Sequence, residues 1–225
     1  MPGAWERSPS QSVLVAILTK EIVTTAWAMG LRKIVLPNGS GITAIAGMPF
    51  DHARNSACQW SLERGFSHLF FLDDDVVPPP DVIQRLLAHN LPIVCGLYFR
   101  RHVGIEPLML KDAPGGSVTY LTQFGWPQMI DVDYTGGGCM LIARRVLETM
   151  RDRIGGQRPW FEWKVDSGGK SEDYVFCQRA RSLGFKVAVD TSIQCRHIGL
   201  GEARLKLNEK GDKGEPEFAP SEIIS

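Results

Sequence analysis

Apolar residues in this chain gather into short unbroken runs, separated by polar stretches marked with glycine or proline. That pattern is the one left by buried strands alternating with helices. The first run, Val13–Leu18, predicts a buried strand that breaks at Thr19-Lys20-Glu21. Residues 22–31 then predict a helix closing at Gly30, and Ile34-Val35-Leu36 a short second strand before a glycine-rich turn. Residues 51–64 predict a helix with Asp51 as N-cap, Ala53, Ala57 and Trp60 on one face, and Gly65 as its stop. A strand at 68–72, a helix at 81–89 and a strand at 92–99 follow. Strands and helices alternate throughout this half, which predicts an α/β fold with a mostly parallel sheet and helices on both faces.

The second half is less regular. Short strands at 108–110, 118–121 and 129–134 predict a small antiparallel addition. Gly136-Gly137-Gly138 precedes a strand at 139–143 and a helix at 144–151. A loop with Trp160, Phe161, Trp163 and Gly168-Gly169 leads to a helix at 172–183, ended by Gly184, and a strand at 186–189. Gln194-Cys195-Arg196-His197 then runs into a polar, lysine-bearing stretch. The expected organisation is a flexible arm over 1–12, one catalytic domain over 13–199 and a polar C-terminal tail over 200–225. No internal repeat is present, so a solenoid is not expected.

Composition narrows the class. Lys+Arg and Asp+Glu number 25 each, so the formal net charge is zero and no global basic field draws in nucleic acid or an anionic membrane. A local patch remains open, with Arg100-Arg101, Arg144 and Arg145 as candidates. Five cysteines are scattered without metal-type spacing, which reads as buried free thiols in a reducing compartment. The run at 13–18 is too short for a membrane span and lacks the flanks of a signal peptide, so the expectation is a soluble cytoplasmic protein.

The chemistry centres on Phe70-Phe71-Leu72-Asp73-Asp74-Asp75, an apolar strand ending in three consecutive carboxylates. Packing does not call for adjacent like charges, whereas a hard divalent cation such as Mg²⁺ or Mn²⁺ resolves their repulsion. Strand ends are also where open α/β sheets bind ligands. The plain alternative is a solvated turn before Pro78-Pro79-Pro80. Glu172 and Asp173 at the start of a helix have a helix-dipole role open to them; in addition Asp173 could take a proton from an acceptor hydroxyl. His197 is a candidate completing metal ligand beside its ordinary structural role. Trp160, Phe161 and Trp163 read either as core or as a stacking platform.

The order of these pieces resembles the GT-A-fold glycosyltransferases, closest to small phage and bacterial family-2-like members, over roughly residues 13–199. The quoted motifs are Asp73-Asp74-Asp75, Gly136-Gly137-Gly138-Cys139-Met140-Leu141-Ile142, Ser171-Glu172-Asp173-Tyr174 and His197. The resemblance implies a nucleotide-diphospho-sugar transferase using Mn²⁺ or Mg²⁺ and a UDP- or GDP-sugar. It places Asp73 at the ribose with Asp74 beside it, Asp75 and His197 on the metal with Asp73 near it, and Asp173 as base of an inverting reaction. Glu172 holds the acceptor. Thr19, Lys20, Glu21, Arg54, Gly137 and Gly138 fall on the nucleotide side, and Trp160, Phe161, Trp163 and Arg100 on the acceptor side. The acceptor is a hydroxyl of a glycan, a protein, a small molecule or a modified DNA base. The Q-x-x-R-W signature of processive synthases is absent, which argues against polymer synthesis. Two other readings remain: a nucleotidyltransferase that makes a nucleotide-sugar, and a non-catalytic nucleotide- or sugar-binding module.

Overall fold

The computed structural model describes residues 11–100, 105–164 and 170–199, and the backbone of two strands within 202–207 and 213–219. Arg101, Gly168-Gly169 and most of the arm lie outside the described residues. Along the chain come β1 (Val13–Leu18), α1 (Thr25–Lys33), β2 (Gly41–Ile45), α2 (Phe50–Glu63), β3 (His68–Asp73), β4 (Val76–Val77), α3 (Val82–Ala88) and β5 (Ile93–Leu97). Then follow β6 (Met109–Asp112), β7 (Val118–Tyr120), β8 (Met129–Val132), β9 (Tyr134–Thr135), β10 (Cys139–Ala143) and α4 (Arg144–Ile154). The chain continues with α5 (Glu172–Ser182), β11 (Val187–Gln194), β12 (Arg196–Ile198), β13 (Glu202–Leu207) and β14 (Lys213–Ala219).

Seven strands form the central sheet in the order β2-β1-β3-β10-β5-β11-β8. β1, β2, β3, β5 and β11 run one way; β10 and β8 run against them. The sheet is therefore mostly parallel, as its buried apolar runs predict. Successive residues of β1 face opposite layers. Leu14, Ala16 and Leu18 pack with Ala53 and Ala57 of α2, Leu147 of α4 and Phe176 of α5. Val13, Val15 and Ile17 pack with Trp27 of α1 and Ile83 and Leu86 of α3. Both layers are dry, which explains why β1 and β3 read as continuous apolar runs. Two small antiparallel sheets, β14-β13-β12-β4 and β7-β6-β9, flank one end of the central one.

Several boundaries differ from the sequence reading for physical reasons. The first helix starts at Thr25, not residue 22, because the Thr24 hydroxyl accepts from the Trp27 N–H at 3.2 Å and caps it. Ile22, outside the helix, is 87% exposed. Ile34-Val35-Leu36 is not a strand: Ile34 is the C-cap of α1, and Val35 faces solvent. The second strand is Gly41–Ile45, an edge strand with only Ile45 buried, so it leaves no apolar run. Asp51 is not the N-cap of α2; Pro49 is, and Asp51 is buried in the first turn, where its Oδ2 accepts from Arg158 at 2.8 Å. Trp60 is exposed rather than sharing the buried face of Ala53 and Ala57. The stretch read as a polar tail contains β13 and β14, an antiparallel pair continuing the β12 sheet. All five cysteines are free and buried. Among the described residues no helix is long and apolar enough to cross a membrane.

Candidate active site

Register brings the chemistry to one end of the sheet. Leu18 of β1 lies opposite Asp73 of β3, and Cys139, which opens β10, lies opposite Leu72. Lys20, Asp73 and the glycine turn before β10 therefore meet beyond the carboxyl ends of β1 and β3, the position where open α/β sheets take ligands. A cleft of about 620 Å³ opens there. Its walls include Lys20, Phe50, Asp73, Asp74, Asp75, Tyr98, Gly136, Asp173 and His197.

Beneath the cleft lies one buried cation among three carboxylates. Arg54 of α2 is 1% exposed. Its Nη2 donates to Asp73 Oδ1 at 3.1 Å, its Nε lies 3.4 Å from Glu172 Oε1 and 3.3 Å from Asp173 Oδ1, and its Nη1 donates to the Gly137 carbonyl at 3.4 Å. The guanidinium also lies 4.9 Å from the Phe71 ring centre and 5.7 Å from that of Phe161. Burial opposes its charge, but Asp73, Asp173 and Glu172 outweigh burial and hold Arg54 firmly protonated. The carboxylates respond differently. Burial pushes Asp73 up against the pull of Arg54. Burial pushes Asp173 up to about 7; Arg54 opposes the rise, and Glu172 and Asp73 add to it. Asp173 Oδ1 is buried without a hydrogen bond, and the residue lines the cleft. A carboxyl group poised near neutrality is suited to accept a proton.

Asp73 is anchored by its backbone as well: its N–H donates to the Gly138 carbonyl at 3.1 Å, and its carbonyl accepts from Trp27 Nε1 at 2.9 Å. Asp74 accepts from the Lys20 N–H at 2.9 Å, which ties the acidic turn to the end of β1. The pairing of β12 with β4 sets His197 opposite Val76 and so beside Asp75. His197 Nδ1 lies 2.7 Å from the Phe99 carbonyl, so Nδ1 carries the hydrogen. Nε2 then faces Asp75 Oδ1 at 3.4 Å. That contact sets an imidazole nitrogen and a carboxylate oxygen side by side at the cleft. An imidazole whose other nitrogen donates to a backbone carbonyl has the usual outer support of a metal-ligating histidine. Among the described residues, no set of three or more His, Cys, Asp or Glu side chains is arranged to hold a metal by itself. A carboxylate oxygen and an imidazole nitrogen are donor types that a divalent ion accepts.

The glycine turn is packed against protein. A Cβ on Gly137 would lie 2.6 Å from Asp173 Oδ1 and 2.7 Å from Arg54 Cζ; one on Gly138 would lie 3.0 Å from Asp73 Oδ2 and from the Tyr98 hydroxyl oxygen. These glycines let the ion cluster close up, and of the three only Gly136 lines the cleft. Arg54 and Glu172 likewise sit beneath the cleft and not on its wall. Thr19 and Glu21 line an adjoining hollow of about 470 Å³ with Met48 and Phe50, and Lys20 borders both spaces.

The aromatic platform expected of the 160–163 loop is corrected by burial. Trp160 is 3% exposed and donates from Nε1 to the Leu147 carbonyl, and Phe161 is fully buried and stacked on Phe176. Such rings fill the core and cannot stack on a ligand. Trp163 is half-exposed but does not line the cleft. Arg100 pairs with Glu106 at 3.4 Å and lies over the Tyr120 ring. Arg144 is bonded through its N–H to the Ser67 carbonyl, at the opposite end of β3 from Asp73. Sequence reasoning missed the tyrosines. Tyr98 Oη accepts from the Gly138 N–H at 2.8 Å, and its ring meets the His197 ring edge-on at 5.4 Å. Tyr120, Tyr134 and Tyr174 line the cleft from three separate segments, without a shared motif.

No protein-family model and no curated relative matches the sequence. Solved structures do match. A197 from STIV superposes with a TM-score of 0.63 at 18% identity, over 95% of this chain and 96% of that one. The S. aureus TarS 1-349 structure gives 0.52 at 14% identity over 81% of this chain, which spans 59% of that fragment. The same fragment in complex with UDP-GlcNAc gives 0.48 at 15% identity. At such identities the likeness is one of fold. The fold is GT-A, a mixed α/β architecture built on a mostly parallel central sheet.

Proposed function

We propose that this protein is a glycosyltransferase that moves a sugar from a nucleotide-sugar to a hydroxyl acceptor, inverting the anomeric centre. The observation that carries the reading is the sharing of Arg54 by Asp73 and Asp173. One buried cation ties an aspartate at the strand end, on the side of the metal pair, to an aspartate at the start of α5. Asp75 and His197 would hold Mn²⁺ or Mg²⁺, which when bound supplies Lewis-acid stabilisation of the departing diphosphate. Lys20, Asp73 and Asp74 form the donor side. Asp173, held on the same guanidinium as Asp73, takes the proton of the acceptor hydroxyl as that oxygen bonds to the anomeric carbon. The bond from that carbon to the nucleoside diphosphate breaks, and its electron pair leaves on the phosphate oxygen. A base on the face opposite the leaving group favours inversion. Glu172, buried against Arg54, acts as a positioning residue for Asp173. The test is a panel of UDP- and GDP-sugars, assayed for nucleotide release with divalent metal and in EDTA, with Asp173→Asn in parallel. One donor is expected to turn over with the metal present, and the variant to be strongly impaired. Full turnover by the variant would remove Asp173 as base.

A further inference from the structure

We infer that the acceptor hydroxyl is carried on a flat, largely apolar ring, a phenol or an aromatic or heteroaromatic alcohol, seated against Tyr120, Tyr174 and Leu110. The inference rests on the sugar-transfer reading for the fate of the hydroxyl, but the ring site itself does not depend on it. These side chains form the wall of the cleft on the Asp173 side, brought together by the β7-β6-β9 sheet and the first turn of α5.

Three polar groups of this wall are already engaged with protein. Thr135 Oγ1 donates to the Leu108 carbonyl at 2.7 Å, the Tyr134 hydroxyl donates to Asp112 at 2.8 Å, and the Ser171 hydroxyl caps α5 through the Tyr174 N–H. Tyr134 also backs Tyr174, with ring centres 3.7 Å apart and planes within 9°. What this side presents to a ligand is therefore mainly aromatic and aliphatic surface beside the carboxylate of Asp173. A polyol seated there would leave most of its hydroxyls without protein partners, whereas a flat ring with a single hydroxyl satisfies both surfaces.

Charge argues against an anionic acceptor. Asp73, Asp74, Asp75 and Asp173 all line the cleft. The nearby arginines are paired among the described residues, Arg100 with Glu106 and Arg181 with Asp112 and Asp133. Arg100 lies 5.6 Å from the centre of the Tyr120 ring and Lys170 4.8 Å from that of Tyr174. Each cation occupies a ring face, and a stacking ring would replace that cation–π contact. In the transfer step the ring-borne oxygen bonds to the anomeric carbon, its proton passes to Asp173, and the nucleoside diphosphate departs with the electron pair of the broken bond.

The experiment uses the full chain. Saturation-transfer NMR without donor compares benzyl alcohol, a tyrosine amide and hydroxymethyl-deoxycytidine with methyl glucoside and glycerol phosphate. Transfer assays with the donor found by nucleotide release then use the same compounds. The aromatic alcohols are expected to bind and to accept sugar, and the three of them separate a free small molecule, a protein side chain and a nucleobase as the source of the ring. Tyr120→Ala and Tyr174→Ala are expected to raise the acceptor KM roughly tenfold, the scale of losing one stacking contact, while Tyr174→Phe stays close to wild type. Because Tyr174 packs on Tyr134, the rim variant Tyr120→Ala keeps the test valid if Tyr174→Ala fails to fold. Donor turnover together with binding of methyl glucoside or glycerol phosphate in preference to the aromatic alcohols would overturn the inference and leave the transferase reading standing. Aromatic binding without turnover of any donor would support the ring site and overturn that reading instead.

Discussion

Arg54 faces three carboxylates in a buried layer, so its removal leaves negative charges with no counter-ion. Arg54→Met is expected to destabilise the fold by about 3–5 kcal/mol, the usual cost of breaking a buried ion pair from one side, measured by urea unfolding. Asp173→Asn keeps shape and polarity, and turnover is expected to fall by about 10² or more with the fold retained. Titration gives two independent checks on the same residue. With Asp173 pushed up to about 7, turnover should rise with pH through that value as the base loses its proton. The stability effect has the opposite sense. A carboxyl group raised from 3.8 to about 7 binds its proton more tightly in the folded state, so its contribution to stability is full below 3.8 and is lost as pH rises through 7. Asp173→Asn should therefore gain melting temperature over wild type between pH 5 and pH 8, a trend that scanning calorimetry at both values would reveal.

At the scale of elements, two short pieces set the site: the glycine turn into β10 and the pairing of β12 with β4. Gly137→Ala would press a methyl group onto Asp173 and the Arg54 guanidinium, both closer than 3 Å. It is expected to cost about 1–3 kcal/mol and to lower turnover more than the simple loss of stability implies, measured as melting temperature against specific activity. The β12–β4 pairing holds His197 on Asp75. If these residues carry the metal, UDP or GDP should raise the melting temperature of the wild type only when Mn²⁺ or Mg²⁺ is present, and His197→Ala should abolish that gain. Equal stabilisation in EDTA would remove the metal assignment. Elements were legible wherever burial wrote a continuous run. β1, β3 and β5 are dry on both faces and were read directly, and Ser171-Glu172-Asp173 announced a helix start. β2 escaped because an edge strand wets alternate residues, and β13 and β14 escaped because their composition is polar. Trp160 and Phe161 were misread because position on a loop does not say which way a ring points. Tyr120, Tyr134 and Tyr174 converge only through tertiary contacts, so no spacing in the chain could have linked them.

For the whole molecule, alternation of strands and helices foretold the sheet, and the acidic strand end lies where the cleft opens. Not legible was how tightly the two halves are joined: α2 supplies Arg54, β3 supplies Asp73 and α5 supplies Asp173, with 118 residues separating Arg54 from Glu172. A zero net charge also gains a physical context, since the acidic residues lining the cleft are offset elsewhere on the chain. The most direct test of the account is nucleotide release by the wild-type chain from a panel of UDP- and GDP-sugars, with Mn²⁺ or Mg²⁺ and again in EDTA. The account predicts turnover of one donor with the divalent ion and its collapse in EDTA. Failure to turn over any donor in the presence of metal, or the same rate in EDTA, would contradict it.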